Sequence, residues 1–229
     1  MQGIVGKQAG AIAVAVAAGA LVVSGCSQTQ FGAAALYGNQ RVSSAKLAAE
    51  VANLNAGFQK YEHKTQINYT QADQPRQVLS WLLRFATANE IAATRGIHVT
   101  NTDVAKALKT ESSIVRRSGD TLTEAMVLNG LPPDMQYQLG RWVTIQEKLD
   151  NQLDHGKPPT SQAQSTALTA KVNHLQCVAT KNLDIKVNPQ YGVFDYAQYA
   201  VVAAPSNLAT TSPSPGATPT PGPRLSPRC

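Results

Sequence analysis

The sequence predicts a mainly α domain of about five helices, closed by a small β element that pairs an N-terminal with a C-terminal strand. Three observations predict it. From Leu47 to Ala179 apolar side chains return every three or four positions, the spacing of one helical face. Glycine, proline and hydroxyl residues interrupt that stretch where helices begin and end. Extended patterns lie only at its two sides, around Ala34 to Val42 and from Leu183 to Val187.

The elements follow in order. Ala34 to Tyr37 and Arg41-Val42 flank the turn cluster Gly38-Asn39-Gln40, so a short strand pair comes first. Ser43 or Ser44 caps a helix whose stripe is Leu47, Val51, Leu54 and Phe58. A polar stretch, Tyr61 to Gln74, separates it from a helix starting near Pro75, a residue suited to a first turn. That second helix is apolar on two sides. Val78, Trp81, Leu82, Phe85 and Ala92 form one face, and Leu79, Leu83, Ala86 and Ile91 another, which predicts a helix sandwiched at the centre of the fold.

Arg95-Gly96 ends it, and Thr100 to Asp103 reads as a capping box for a helix carrying Val104, Leu108 and Val115. After Ser118-Gly119 a short helix, Leu122 to Leu128, stops at Asn129-Gly130. Pro132-Pro133-Asp134 starts a long helix with Met135, Leu139, Trp142, Gln146, Leu149 and Leu153 at central positions. Gly156 to Pro159 stops it, and Thr160 or Ser161 opens a last helix with Leu168, Val172, Leu175 and Ala179 inward. Leu183 to Val187 alternates as a strand, and Asn188-Pro189 breaks it.

Both ends have a different character. Lys7 precedes an uninterrupted Ala, Val, Ile, Leu and Gly run from Ala9 to Val23, the pattern of a signal peptide, too short for a spanning helix. Val23-Ser24-Gly25-Cys26 resembles a bacterial lipobox. The resemblance implies cleavage between Gly25 and Cys26 and diacylation of the Cys26 sulfur, which would anchor the chain to a membrane facing outside the cytoplasm. From Pro205 onward seven of the chain's 13 prolines accumulate among Ser, Thr, Gly and Ala, which predicts a disordered, solvated tail. The expected organisation is therefore a signal peptide (1–25), a lipidated tether (26–33), a helical domain (34–204) and a tail (205–229).

Composition limits the functions available. With 229 residues and 43% hydrophobic content the chain can bury a real core, and three cysteines are too few for a disulfide scaffold. Cys177, inside a helical pattern, reads as a small core residue, although in an oxidising compartment it and Cys229 are able to pair. The formal charge of +6 falls to +3 once Lys7, Arg224 and Arg228 are set aside. Arg116-Arg117 is the only adjacent basic pair, and aromatics do not interleave with cations, so no nucleic-acid partner is expected.

Catalytic and metal patterns are absent from the sequence. His63, His98, His155 and His174 have no partner at ligand spacing, and there is no HExxH. Glu147, Asp150 and Asp154 share a helix face that reads as solvated beside Lys148 and Lys157. No GxSxG, SxxK or Walker-type loop occurs, so no catalytic residue, cofactor or metal is expected.

The arrangement resembles the N-terminal chaperone domain of SurA, as carried by small actinobacterial lipoproteins. The opening YGNQRVSSAKLAAEV, the central LSWLLRFATANEIAATRGIHVTNTDVAKAL, the late helix and the closing VNPQYGVFD carry the resemblance over about Ala34 to Val202. It implies an extracytoplasmic, non-enzymatic holder of unfolded or secreted polypeptides. Only Gly156 to Thr160 occupies the place where longer members carry a parvulin isomerase domain, so isomerase activity is not implied. Met126, Met135, Tyr137 and Trp142 are the candidates for an adaptable client-binding surface. The competing expectations are a structural or adaptor lipoprotein that docks one defined envelope partner, and a degenerate foldase working beside a separate isomerase.

Overall fold

A computed structural model describes residues 32–61, 69–205 and 224–229. Gly25 and Cys26, the signal-peptide pattern, His63 and most of the proline-rich tail lie outside these residues. The chain runs β1 (Ala33–Tyr37), β2 (Gln40–Ser43), α1 (Ser44–Tyr61), α2 (Gln74–Arg95), α3 (Asn101–Arg116), α4 (Leu122–Leu128), α5 (Gln136–Leu153), α6 (Gln162–Leu183), β3 (Lys186–Val187), β4 (Val193–Asp195) and β5 (Ala200–Val202). The protein is mainly helical with small antiparallel strands. Among the described residues there are six helices, the short α4 included.

The helix ends follow local chemistry. Thr100 closes a reciprocal box at the start of α3: its hydroxyl accepts from Asp103 N–H at 3.2 Å, and the Asp103 carboxylate accepts from Thr100 N–H at 2.9 Å. Thr121 and Ser161 cap α4 and α6 in the same way, each accepting from the amide three residues on. Pro75 sits in the first turn of α2, where a missing N–H costs nothing. Gly96 ends that helix at φ 65°, and the next amide, Ile97, donates back to Ala92 at 2.8 Å.

The two-faced α2 is the centre of the molecule, and it contributes buried side chains to all three apolar clusters. Val78, Leu79 and Leu83 meet Leu47 and Leu54 of α1, Ala34 and Ala35 of β1, and Val201 of β5. Further along, Ala88, Ile91 and Ala92 pack with Ile145 and Leu149 of α5 and Ala179 of α6. Between these, Phe85 meets Met126, Leu131 and Met135. At the outer layer α3 lies so close to α5 that a Cβ on Gly140 would sit 2.7 Å from Leu108 Cγ and 2.9 Å from Val104 Cγ1.

One sheet has the order β2-β1-β3 and is antiparallel throughout, with Leu36 opposite Arg41 on one side and Lys186 on the other. The last strand is shorter than the alternation predicts. Helix α6 continues to Leu183, Asp184 turns the chain at φ 44°, and pairing begins only at Lys186. Leu183 is buried as the end of a helix, and its carbonyl accepts from Gly38 N–H at 2.5 Å, so the alternation expected from Leu183 begins on a helical residue and not on a strand. A second hairpin, β4–β5, pairs Phe194 with Val201 and lies on α2. Gly192 enters it at φ 125°, where a Cβ would fall 2.1 Å from Val202 O; only glycine fits.

Cys177 is not a free core filler. It forms a disulfide with Cys229, their Cα atoms 5.5 Å apart. Residues 224–229 accordingly lie against the domain, where Tyr196 N–H donates to Arg224 O at 2.8 Å and Arg224 N–H to Asp195 Oδ1 at 3.2 Å. A spacer reading does not hold for these six residues, because a covalent bond and two hydrogen bonds tie them down.

A candidate ligand crevice beside the second hairpin

The face of α2 left open between its neighbours forms one wall of a crevice of about 220 Å³. Trp81, Arg84, Ala88 and Ile91 recur there at spacings of three and four, so helical geometry alone puts them in one row. Helix α5 supplies Trp142 and Gln146, and α6 supplies Gln176, the residue before the disulfide. The β4–β5 hairpin closes the far side with Phe194, Gln198 and Tyr199.

A buried polar contact helps hold the hairpin against α2 in an otherwise apolar region. Ser80, 3% exposed, accepts from Val201 N–H at 2.8 Å and donates to Arg76 O at 2.7 Å. Tyr199 sits at φ 50°, a conformation side chains other than glycine seldom adopt. Its hydroxyl donates to Asn173 O at 3.0 Å, and its carbonyl accepts from Arg84 Nε at 3.3 Å. Asp195 anchors the hairpin's turn. Burial works against its charge, yet the amides of Ala197, Gln198 and Arg224 and the Gln198 side chain outweigh it, keeping the carboxyl below its usual range.

The aromatic wall is rigid. Trp81 and Trp142 meet edge to face with centroids 5.8 Å apart, and Phe85 lies 5.7 Å from Trp81 on the other side. Trp81 Nε1 donates to Asn129 O at 2.9 Å, which fixes the ring's orientation. Over that ring lies the Arg84 guanidinium, Cζ 5.1 Å from the centroid. Burial lowers the Arg84 pKa from its ordinary value, because the charge has lost water.

A second cavity of about 360 Å³ lies between α1 and the start of α2, lined by Leu47, Val51 and the alanines Ala48 and Ala52. The wholly buried Gln74 borders it, with its Oε1 unpaired among the described residues. It contains no charged or aromatic cluster beyond Tyr191.

Of the four residues expected at a client surface, Trp142 alone lines the crevice. Met126 and Met135 are each 2% exposed and belong to the core beneath Phe85. Tyr137 is exposed but donates to Asn101 on the outer face of α5. His98, His155 and His174 are exposed and apart from one another. Among the described residues no group of three His, Cys, Asp or Glu side chains is placed to hold a metal ion. Asp150 has its pKa raised by burial and by Asp154, while Lys148 leaves that face to pair with Asp103 at 2.8 Å.

Arg84, Phe194, Gln198 and Tyr199 were not singled out from the sequence. A signal existed for Arg84: it is a lone cation in LSWLLRFA with no acid three or four residues away. Of the hairpin residues only Phe194, inside VNPQYGVFD, gave one; three-residue strands carry too little pattern to mark Gln198 and Tyr199. Among the described residues, no helix is long and apolar enough to cross a membrane. Comparisons with protein-family models, with curated proteins and with solved structures find no match to this chain.

Proposed function

We propose that this chain is a lipid-anchored extracytoplasmic protein whose helical domain, of SurA N type, holds segments of unfolded or secreted polypeptides without catalysing a reaction on them. The observation that carries the reading is the crevice on α2. Rigid aromatic rings, glutamine amides and a half-buried cation suit side-chain and backbone contact with an extended chain. Anchoring rests on the Val23 to Cys26 pattern, with Cys26 as the lipidated residue and Gly25 the residue before cleavage. The Cys177–Cys229 disulfide supports an address outside the cytoplasm, since such bonds persist in oxidising compartments. Pairing of β1 with β3 brings the chain back beside its first strand, so the helices lie within one continuous domain.

The test uses the full processed chain with its disulfide intact, mixed at stoichiometric ratio with several unrelated unfolded proteins. Suppressed aggregation of most of them is expected. Suppression of none, with tight binding to a single envelope protein, would establish the adaptor reading instead. A crevice of about 220 Å³ also suits one defined partner segment, which is what that second reading requires. A Cys26→Ala variant should lose lipid labelling and membrane retention; unchanged retention would remove the anchor.

A further inference from the structure

Resting on the polypeptide-binding reading and narrowing it, we propose that the crevice captures the free α-carboxylate of a polypeptide C-terminus whose last side chain is aromatic or branched aliphatic, with Arg84 as counter-ion. The case begins with an unbalanced charge. Arginine stays protonated in proteins, so an arginine drawn out of water must find an acid or remain a cost. Arg84 Nε is satisfied by Tyr199 O, and its flat face is satisfied by Trp81. Its two terminal nitrogens make no hydrogen bond and meet no carboxylate within 4 Å among the described residues. Those nitrogens form the fork that binds a carboxylate in two parallel bonds.

Among the described residues, no neighbour supplies the missing charge. Asp195 on the same hairpin is engaged by its own four donors. Tyr199 is neutral, its phenol pKa pushed up by burial, and Arg224 beside it adds a second positive charge. The field at this end of the crevice therefore selects an anion.

Size and lining narrow the anion further. Sites for drug-sized molecules run to roughly 300–1,000 Å³, so about 220 Å³ takes one side chain with its backbone. That fits an end of a chain better than a strand passing through. Trp142, Ile91, Ala88 and Phe194 offer the terminal side chain an apolar wall. The Gln146 and Gln176 side-chain amides line the same space and have no hydrogen-bond partner among the described residues, so they are free to meet the last peptide N–H and C=O.

The chain carries its own reporter, since its only two tryptophans, Trp81 and Trp142, both border the crevice. The experiment titrates the full processed chain with three N-acetylated pentapeptides and follows tryptophan fluorescence. One ends in Phe with a free carboxylate, one is its C-terminal amide, and one is an amide with an internal Glu. The free acid should give a saturable change, and the amide and the Glu peptide should each bind at least about tenfold more weakly, as expected for a lost charge-assisted hydrogen bond. Arg84→Gln should abolish the preference for acid over amide, and Arg84→Lys should restore part of it.

Equal binding of acid and amide overturns the proposal, as does a Glu amide that binds as well as the acid, which would make a side-chain carboxylate the ligand. The wild-type comparison decides even if an Arg84 variant fails to fold. Aggregation suppression without acid preference would leave holding intact and remove the carboxylate site. Acid-selective binding without suppression would do the reverse.

Discussion

Ser80 Oγ on α2 accepts a 2.8 Å hydrogen bond from the buried N–H of Val201 and donates onward to Arg76 O, joining β5 to the central helix. Ser80→Ala leaves that amide unpaired in an apolar setting, at a cost of about 1–3 kcal/mol. Denaturant unfolding should show a lower midpoint at unchanged slope, with faster hydrogen exchange at Val201. An unchanged midpoint would mean that water reaches the amide.

Gly140 is where α3 and α5 touch. In an open helix Gly→Ala stabilises by about 1 kcal/mol through propensity; here the new methyl overlaps Leu108 and Val104. Overpacking of this kind costs about 1–3 kcal/mol, so Gly140→Ala should lower the melting temperature. Leu108→Ala in the same chain should recover part of the loss, a coupling that a double-mutant cycle measures.

Asp103 and Glu50 titrate with opposite consequences. The Asp103 carboxyl is pulled down to about 2, first by the hydrogen bond from Lys148 and then by those from Thr100. A lowered folded pKa contributes stability above the unfolded value of ~3.9, lost as pH falls from there towards 2. Lys148→Met should raise the Asp103 midpoint in an NMR titration and weaken the acid dependence of unfolding in that window.

Glu50 is raised by burial first and then by the neighbouring Asp134. Its charged form is disfavoured in the fold, so it detracts from stability above the folded pKa, and the loss is relieved as pH falls through that value. Glu50→Gln should therefore leave stability at pH 7 equal or higher, and remove that relief on acidification. Thermal melts at pH 7 and near pH 5 check both.

The Cys177–Cys229 bond should appear as two thiols that alkylate only after reduction. Cys229→Ser should release Arg224 from the hairpin, read as faster exchange of Tyr196 N–H. Protected exchange in that variant would show that the two hydrogen bonds suffice.

The helical class was legible because its signals are local and redundant. The capping box at Thr100, the stop at Gly96 and the proline in the first turn of α2 each depend on residues within one turn of one another. The two-faced pattern of α2 also announced its central position, since a helix apolar on two sides must be covered on two sides. Where a single apolar residue served two interpretations, the pattern failed. Leu183 completed an alternation with Ile185 and Val187, yet it is buried as the last residue of α6.

By itself the sequence determined the helices, most of their ends, and the lipobox-like segment at Cys26, because backbone hydrogen bonding and short motifs are properties of neighbouring residues. Only the tertiary structure decided that Met126 and Met135 are core, that Cys177 meets Cys229, and that Arg84 faces Trp142, Gln176 and Tyr199 across a crevice. Those relationships join residues tens of positions apart. They arise from which faces pack together, and a helical repeat gives each face a direction without naming its partner.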